Sequence, residues 1–598
     1  MNIDDLRIPK NAQFYPLRKK ITKSSINALF KEISDKKIGG YLLREVRKQM
    51  NVAGNEIIYS FIAFKLESEP SFLHGTTIKE TTYAFLLVIE YGTFIAVFKK
   101  HVDSPEKHLF KYLEHSDYDK FCHFMAGSGP QYEKVGMHNM SISDSVIRYK
   151  ALEAHSLNGI MSAVSAQRAI PSSFRMRSAD EVYTITPGTS RLSKKDKKES
   201  LSGIIKWTIA AITEIDTNTQ KSPFINYFAR PIDLGKIIGQ CKPISILFYF
   251  EDLDRDIRGD GARKKLMRRP KLGGTLEELS EQELVRFFGF YRSPLAIIEK
   301  DNVYCIRTKG VNPLGKLRFN KKEISITSAF FESIVIADED GNQQSVLKYI
   351  SILKPFSVVF DKPQYIYFSK DSFEDTRLLG NIDGMLSILI DDFDFSTVKS
   401  EKEKPHNAAI VEFPVKSLFK EVEDQVCATA NILLCDDMGD EWADHISINS
   451  LCNPPEISFI HSKYIDRESM GASNFHEVVA QAQKNLGRLN SDIDEFKRKF
   501  DQKWSTNYES TNIGRSRKGH TWIDVEAALR VVMQNPNSIK KVILATPFIS
   551  KGSITADFLA LKRDGTAKPH VIQLLWLLNT FISACIENGA RPYVLCKP

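Results

Sequence analysis

The chain has 598 residues, of which 42% are hydrophobic and 26% are charged. This length predicts three or four domains at ~100–200 residues per domain, and the composition excludes a disordered or fibrous protein. The formal net charge of +8 suits an anionic partner without requiring one, because net charge governs association rather than fold.

The eight cysteines are scattered and none forms a C-x-x-C pair, which argues against a ribbon or finger zinc site. They are interpreted as reduced core thiols. The first residues lack the apolar segment of a secretory signal, and no apolar run reaches the ~18 residues of a membrane span. We therefore expect a soluble, cytoplasmic protein that does not contact a membrane.

The first part of the chain, residues 1–200, is predicted to be an α+β domain with a sensing or nucleic-acid-binding role. A helix is predicted over 23–50, and 191–199 is interpreted as an exposed loop because it is rich in lysine. Strands rich in β-branched and aromatic residues are predicted at 56–66, 83–91 and 93–98, with a tight turn at 90–93.

Residues 201–396 are predicted to form a strand-rich middle domain, with strands at 243–250, 303–307, 333–337 and 357–360. Within it, 256–274 is the most basic segment of the chain. Its Gly and Pro content favours a loop that lies on a phosphate backbone, and a solvated mobile loop is an equally good interpretation. The predicted phosphate contacts there are Arg263, Lys264, Lys265, Arg268 and Arg269.

Residues 397–405 are charged, contain little apolar surface and are interpreted as a linker. The last domain, 406–598, has a legible order of elements: a helix at 415–430, strands at 431–437, 442–449 and 456–464, a helix at 473–489, a strand at 541–548, a helix at 571–587 and a strand at 591–596. This αβββαβαβ order predicts a mixed sheet with helices on both faces.

Three polar residues on two neighbouring strands of this domain carry the most specific signal. Residues two apart in a strand share a face, so His461 and Lys463 point the same way, and Asp444 lies on the adjacent strand. An Asp and a Lys on adjacent strand ends can together hold a divalent cation and a nucleophilic water, and phosphodiester hydrolysis requires both. Taken singly, a strand-end Asp is usually a turn residue and a His-x-Lys is usually solvated strand surface.

The segment Gly439-Asp-Glu-Trp-Ala-Asp444, followed by Phe459-Ile-His-Ser-Lys463 in this order of elements, resembles the PD-(D/E)xK nuclease superfamily. It is most similar to the Mrr-like, restriction-endonuclease-like domains of bacterial defence proteins. The resemblance covers roughly 415–550 and implies a metal-dependent endonuclease that acts on DNA with Mg²⁺ or Mn²⁺. No resemblance is found for residues 1–400.

The resemblance also implies residue roles. Asp444 would bind the metal, Lys463 would orient the attacking water, and His461 would occupy the place of the second acidic residue. An imidazole there lowers the negative charge and shifts the preference toward softer ions such as Mn²⁺. Glu421 or Glu423, on the preceding helix, would supply the extra carboxylate that some members place there, and Gln481 would correspond to a helix glutamine that faces the site. Independently of the resemblance, Glu441 is three residues before Asp444 in the turn and would restore the missing charge.

Other interpretations of these segments stay open. The acidic run 436–441 is also compatible with a Ca²⁺-binding loop, although it lacks the EF-hand spacing. A second basic cluster, containing Arg515, Arg517 and Lys518, is placed to hold substrate phosphates. No Walker A, Gly-x-Ser-x-Gly or His-Glu-x-x-His motif occurs, which argues against ATP-driven chemistry.

The sequence as a whole predicts a multidomain α+β and α/β protein with a C-terminal nuclease domain, acting in defence against phage or plasmids. The main alternative is a catalytically degenerate nucleic-acid-binding or scaffold subunit, and a toxin-like RNase is a further one. The sequence does not decide whether the chain binds a partner protein from a defence operon or associates with itself.

Overall fold

The computed structural model describes residues 2–70, 72–73, 75–102, 105–109, 111–114, 117–140, 149–161, 169–259, 264–270, 275–308, 313–320, 323–338, 341–375, 377–403, 407–466 and 472–598. The chain divides into two compact units. The first contains Met1–His138 and Tyr149–Pro231, and most of the second is Ile232–Pro598. The protein is a multidomain α+β protein with several sheets.

The first unit is built on a ten-stranded sheet with the order β2-β3-β4-β5-β1-β10-β9-β8-β6-β7. Its elements are β1 Asn11–Pro16, α1 Lys23–Ile33, β2 Ile38–Val52, β3 Asn55–Ser68, β4 Glu80–Tyr91, β5 Phe94–Lys100, α2 Glu106–Leu109, α3 Tyr118–Cys122, β6 Gln131–Asn139, β7 Tyr149–Glu153, β8 Ala169–Ser178, β9 Glu181–Thr186, β10 Arg191–Lys194 and α4 Leu201–Thr217.

Three strands of this unit lie where the sequence predicted them, and two predictions are wrong. The helix predicted over 23–50 ends at Ile33, because the following residues pair with β3 as a long edge strand. The lysine-rich loop predicted over 191–199 begins with strand β10, which pairs with β1 and β9. Leu192 is fully buried between those strands, and that burial outweighs the polar composition around it.

The middle region, at the start of the second unit, holds a nine-stranded sheet with the order β11-β23-β22-β21-β12-β15-β16-β17-β18 and a four-stranded sheet with the order β14-β13-β19-β20. Its elements are β11 Arg230–Ile232, α5 Leu234–Ile238, β12 Pro243–Phe248, α6 Glu251–Arg258, β13 Lys264–Arg268, β14 Glu277–Glu278, α7 Glu281–Tyr291, β15 Leu295–Lys300, β16 Val303–Ile306, β17 Gly315–Phe319, β18 Ile324–Thr327, α8 Ala329–Ser333, β19 Ile334–Asp338, β20 Gln343–Ser345, α9 Val346–Leu353, β21 Phe356–Phe360, β22 Tyr365–Phe368 and β23 Asp371–Glu374.

The four strands predicted in this region are confirmed as β12, β16, β19 and β21. The basic segment is not one loop, because Lys264–Arg268 forms β13 and pairs with β19 along its whole length. Leu266 of that strand is buried in the core, which explains why a run of cations is held in a sheet. Arg263 lies outside the described residues.

The C-terminal region is a seven-stranded mixed sheet with the order β24-β30-β29-β27-β26-β25-β28. Its elements are α10 Ile382–Leu386, β24 Leu389–Ile390, α11 Leu418–Glu421, β25 Ile432–Cys435, β26 His445–Asn449, β27 Glu456–Ser462, α12 Ala472–Asn485, α13 Ile493–Lys499, β28 Ser516–Lys518, α14 Trp522–Gln534, β29 Ile539–Ser550, α15 Lys551–Asp564, α16 Pro569–Glu587 and β30 Ala590–Lys597.

Strands β25, β26 and β27 form an antiparallel meander, and β29 then lies parallel to β27. Strand β27 is central and almost wholly buried, as expected for a strand covered on both faces. The predicted order of helices and strands is confirmed. The prediction omits α13, β28 and α14, which lie between α12 and β29, and α15, which lies between β29 and α16.

Residues 397–403, which the composition assigns to a linker, pack on this sheet instead. Val398 is buried in the same core cluster as Leu433 and Ile543. The Leu418 and Phe419 N–H groups donate to the carbonyls of Ser400 and Glu401. Strand β24 also belongs to this sheet, where it pairs with β30. The first strand of the C-terminal sheet therefore lies before the predicted linker in the sequence.

Helix α16 is, among the described helices, the one that is long and apolar enough to cross a membrane. Within the protein, 61% of its most apolar window is buried.

Candidate metal centre

The acidic turn that connects β25 to β26 carries the strongest cluster of metal-ligating groups. Its ends are joined where the Asp436 N–H donates to the Asp444 carbonyl at 2.9 Å. Met438 and Gly439 both have positive φ, at 74° and 71°, which reverses the chain sharply between the two strands. The turn thereby returns the carboxylates that follow β25 to the start of β26.

Three carboxylates of this turn, which we call the acidic trio, are Asp437, Glu441 and Asp444. One oxygen from each lies within 4.8 Å of the others, and no other such group of metal-ligating side chains is found in the described part of the chain. Asp437 is buried, and the other two are partly buried. Burial and the neighbouring charge of Asp437 raise the pKa of Asp444 well above its usual range.

Asp444 is fixed by the end of the neighbouring strand. Its N–H donates to the Ile460 carbonyl at 3.1 Å, and its Oδ2 accepts from the Ser462 N–H at 2.6 Å. These bonds extend the β26–β27 ladder by one residue pair, so Asp444 lies opposite His461. Lys463 follows His461 by two residues, directly after the end of β27. The predicted pairing of Asp444 with the end of this strand is confirmed at the level of the backbone.

Asp437 has two close partners that the sequence did not indicate. The Lys402 ammonium lies 2.6 Å from its Oδ2, and the Tyr508 hydroxyl donates to the same oxygen at 2.6 Å. Burial opposes the charge on Lys402, but Asp437 outweighs this effect and the pKa of Lys402 is raised. Lys402 is thus a charged ammonium placed at the acidic trio.

The acidic turn is also held from beneath by the fully buried carboxylate of Asp436. It accepts from the Trp442 N–H at 2.7 Å and from the Trp504 indole at 2.9 Å. The Lys503 ammonium lies 2.9 Å from Asp436 Oδ1 and donates to three carbonyls of the turn. Lys499 approaches the same carboxylate at 3.5 Å.

Lys499, Lys503 and Trp504 come from α13 and the π-helical turn Phe500–Trp504, within the segment that the prediction omits. The signal available in the sequence was the spacing Lys499-x-x-x-Lys503-Trp504, which puts both lysines on one helical face. That spacing alone does not identify their acidic partner.

His461, predicted as a metal ligand, is buried with 3% of its surface exposed. Burial lowers the pKa of this imidazole to about 4, so the ring is neutral at neutral pH. Its Nε2 has no hydrogen-bond partner among the described atoms, and its ligand atoms are not part of the acidic trio. The structure therefore places His461 beside Asp444 in the ladder without joining it to the carboxylates.

The remaining predicted residues of the site are not part of the trio. The Lys463 side chain is one third exposed and forms an ion pair with Glu477 of α12 at 3.3 Å. Glu421 accepts hydrogen bonds from Thr397 and Gln425, and it is not part of the trio. Gln481 is exposed on α12. Of the residues predicted to bind metal, Asp444 and Glu441 are brought together.

The cations predicted to bind nucleic acid mostly have protein partners. Arg515 is buried and donates to the carbonyls of Cys435 and Asp437, so it supports the acidic turn. Arg517 pairs with the buried Glu423 through two bonds, and Lys518 donates to two carbonyls that follow α11.

On strand β13, Lys264 pairs with Asp256, Lys265 with Glu278 and Arg268 with Glu283. Arg269 is exposed and forms no ion pair with a described residue. Phosphate binding by these cations stays a prediction.

Carboxylate oxygens are ligands that Mg²⁺ and Mn²⁺ take in proteins, so the chemistry of the trio fits the predicted cation. The sequence had considered Asp437 only as part of a Ca²⁺ loop, yet it completes the set that Glu441 and Asp444 begin. No family model, curated protein or solved structure matches the chain. The assignment of function consequently depends on the geometry of this chain's own residues.

Proposed function

We propose that the C-terminal domain is a metal-dependent nuclease that hydrolyses phosphodiester bonds of DNA, and that the protein acts in the cytoplasm in defence against phage or plasmids. The observation that carries the proposal is the acidic trio in the turn that connects β25 to β26. Lys463 follows directly after β27, the strand whose Ser462 N–H fixes Asp444. The order of this meander, α12 and the parallel strand β29 supports the resemblance to the PD-(D/E)xK superfamily.

Asp437, Glu441 and Asp444 would hold Mg²⁺ or Mn²⁺. When bound, such a cation polarises the phosphodiester and lowers the pKa of a coordinated water. Asp444 is kept in place for this role by the Ser462 N–H, whose bond also lowers the cost of its charge. The buried ion pairs beneath the turn keep the three carboxylates together despite their mutual repulsion.

Two ammonium groups serve the reaction. Lys463 orients the attacking water, since its ion pair with Glu477 is on the surface and is weak enough to exchange for water or phosphate. Lys402 neutralises Asp437 and limits the negative charge that an approaching phosphate meets.

A second function, a nucleic-acid-binding subunit without catalysis, is favoured by one observation. His461 is neutral, buried and outside the trio, so the site lacks the second strand-borne ligand that the resemblance implies. This subunit would bind DNA tightly in a salt-sensitive manner and cleave nothing.

The test is incubation of the full chain with supercoiled plasmid, single-stranded DNA and RNA, in Mg²⁺, Mn²⁺ or EDTA. We expect plasmid cleavage with either metal and none in EDTA. Cleavage of RNA alone would indicate the toxin-like RNase. Binding of DNA without cleavage in any metal would overturn the nuclease in favour of the binding subunit.

The two lysines are separated by the variants Lys463→Ala and Lys402→Met. We expect Lys463→Ala to abolish cleavage while the thermal unfolding midpoint stays unchanged, because this side chain is partly exposed. Lys402→Met lowers both activity and stability, since it leaves the Asp437 carboxylate buried without its cation. Full activity of Lys463→Ala would show that this lysine has no part in the reaction.

A further inference from the structure

A cavity in the middle region, lined by α7, α8 and the end of β13, is separate from the acidic trio. Its volume is about 590 Å³, which is within the range of small-molecule sites. Four aromatic rings line it: Phe287, Phe290 and Tyr291 from α7, and Phe330 from α8. Arg286 and Arg268 lie at the same cavity.

Two of these four aromatic side chains are buried and two are exposed to solvent. Phe287 and Tyr291 are buried, whereas Phe290 is 38% exposed and Phe330 is 43% exposed. The Phe287 and Phe330 rings are nearly parallel, with centroids 6.4 Å apart and planes at 23°. Exposed phenylalanines beside a cavity leave aromatic faces free for a planar ligand.

The charges at this cavity favour an anion. The Arg268 guanidinium lies 2.9 Å from Glu283, so these two charges cancel. Arg286 of α7 is exposed, lines the cavity and forms no ion pair with a described residue. Arg269, also exposed, has its N–H bonded to the Ser333 carbonyl at the end of α8, which carries Phe330.

Aromatic faces beside Arg286, which has no ion-pair partner among the described residues, match the chemistry of a nucleotide, whose base stacks and whose phosphate takes the guanidinium. We propose that this cavity binds a nucleobase of single-stranded nucleic acid, with Phe290 and Phe330 against the base and Arg286 on an adjacent phosphate. The site shares with the proposed nuclease only the class of ligand, and strand binding here does not require the acidic trio.

The test measures binding of fluorescent dT12 to the full chain by anisotropy in EDTA, where no metal-dependent cleavage occurs. A strand of equal length with abasic sites in place of the bases is the paired ligand. We expect dT12 to bind about tenfold more tightly than the abasic strand, because stacking of a base is lost in the second. Equal binding of the two strands would overturn the proposal.

The variants then assign the contacts. We expect Phe330→Ala and Phe290→Ala each to weaken dT12 binding about tenfold and to leave abasic binding unchanged. Arg286→Gln should weaken both strands by the same factor and reduce the dependence on salt. Phe72→Ala, at a phenylalanine of the other unit that is 83% exposed, is the matched control and should change neither.

Three outcomes would contradict the proposal. Unchanged dT12 binding in Phe330→Ala and Phe290→Ala would remove the cavity as the site. Binding of dTMP as tight as that of dT12 would indicate a free nucleotide in place of a strand. Binding of an apolar peptide that contains Phe, with none of dT12, would indicate a protein partner. A failure to cleave plasmid leaves this test unaffected, since it measures binding alone.

Discussion

The acidic trio and the aromatic cavity differ in where their charged groups lie, which is within the protein at the trio and on the surface at the cavity. At the trio, three carboxylates are held together, with the partly buried Lys402 beside Asp437 and the partly buried Lys503 beneath the turn. At the cavity, the interior is aromatic, and the charges lie on an exposed rim where Arg268 and Glu283 cancel each other. In the proposals above, the first arrangement binds a divalent cation, and the second binds an apolar ring with an anionic edge.

The comparison also predicts where substitutions cost most. Charges that are removed from water interact strongly and cannot be left alone, whereas exposed pairs are screened. Substitutions at the trio and beneath it should therefore have large effects, and substitutions at the rim of the cavity should have small effects on stability.

The largest effect is expected from Asp444→Asn or Asp437→Asn on cleavage. Each removes a charged ligand from a set of three, and the lost stabilisation of several kcal/mol corresponds to roughly 10³-fold in rate. The measurement is the initial rate of plasmid nicking in Mg²⁺, with Asp494→Asn on the exposed side of α13 as the control. Equal rates for the three variants would exclude the trio from the reaction.

The next largest effect is expected for Lys503→Met on stability. Asp436 is fully buried, and removal of Lys503, its closest cation, leaves that charge with only the Lys499 ammonium at 3.5 Å. We expect a loss of about 3 kcal/mol in the free energy of unfolding of the C-terminal region. Lys497→Met, on the same helix with an exposed partner, should lose about 0.5 kcal/mol or less.

Chemical denaturation followed by tryptophan fluorescence measures both variants, since Trp442 and Trp504 lie in contact beside Asp436. Similar losses for Lys503→Met and Lys497→Met would show that the lysines beneath the turn do not hold it.

His461 gives a pH-dependent prediction. The unfolded chain protonates this imidazole below about pH 6.5, but the folded chain does so only below about pH 4. The free energy of unfolding therefore falls as the pH is lowered from 6.5 to 4, by up to about 3 kcal/mol from this group.

The His461→Leu variant should lose this part of the pH dependence. The measurement is the difference between the thermal midpoints of the two proteins from pH 4.5 to 7.5, which removes the contribution of the other groups. A constant difference across this range would show that His461 is not buried in its neutral form.

The smallest effect is expected at the rim of the cavity. Arg268 and Glu283 have exposed side chains, so Arg268→Gln should change the free energy of unfolding by ~0.2–1 kcal/mol. Denaturation under the conditions used for Lys503→Met provides the comparison. A loss as large as that of Lys503→Met would mean that the rim is as buried as the trio.

The fold of the C-terminal region could be predicted from sequence because its strands and helices have strong periodic patterns. The buried runs of β25, β27 and β29 indicate central strands, and the Pro454-Pro455 loop separates β26 from β27. The pairing of Asp444 with the end of β27 followed from this order.

Long-range partners could not be predicted in the same way. Lys402 and Tyr508 meet at Asp437 from positions 35 and 71 residues away. Composition assigned Lys402 to a linker, because its charged neighbours conceal the packing of Val398. The misassigned strand β2 has the same cause, since its pairing with β3 outweighs a local pattern that resembles a helix.

The most direct test of the central claim is Mn²⁺ binding to the full chain, measured by electron paramagnetic resonance or calorimetry, in the unmodified protein and in Asp444→Asn. The account predicts one Mn²⁺ per chain, displaced by Mg²⁺, and loss of this site in the variant. Equal Mn²⁺ binding by the two proteins, or none by either, would contradict a metal centre at Asp437, Glu441 and Asp444.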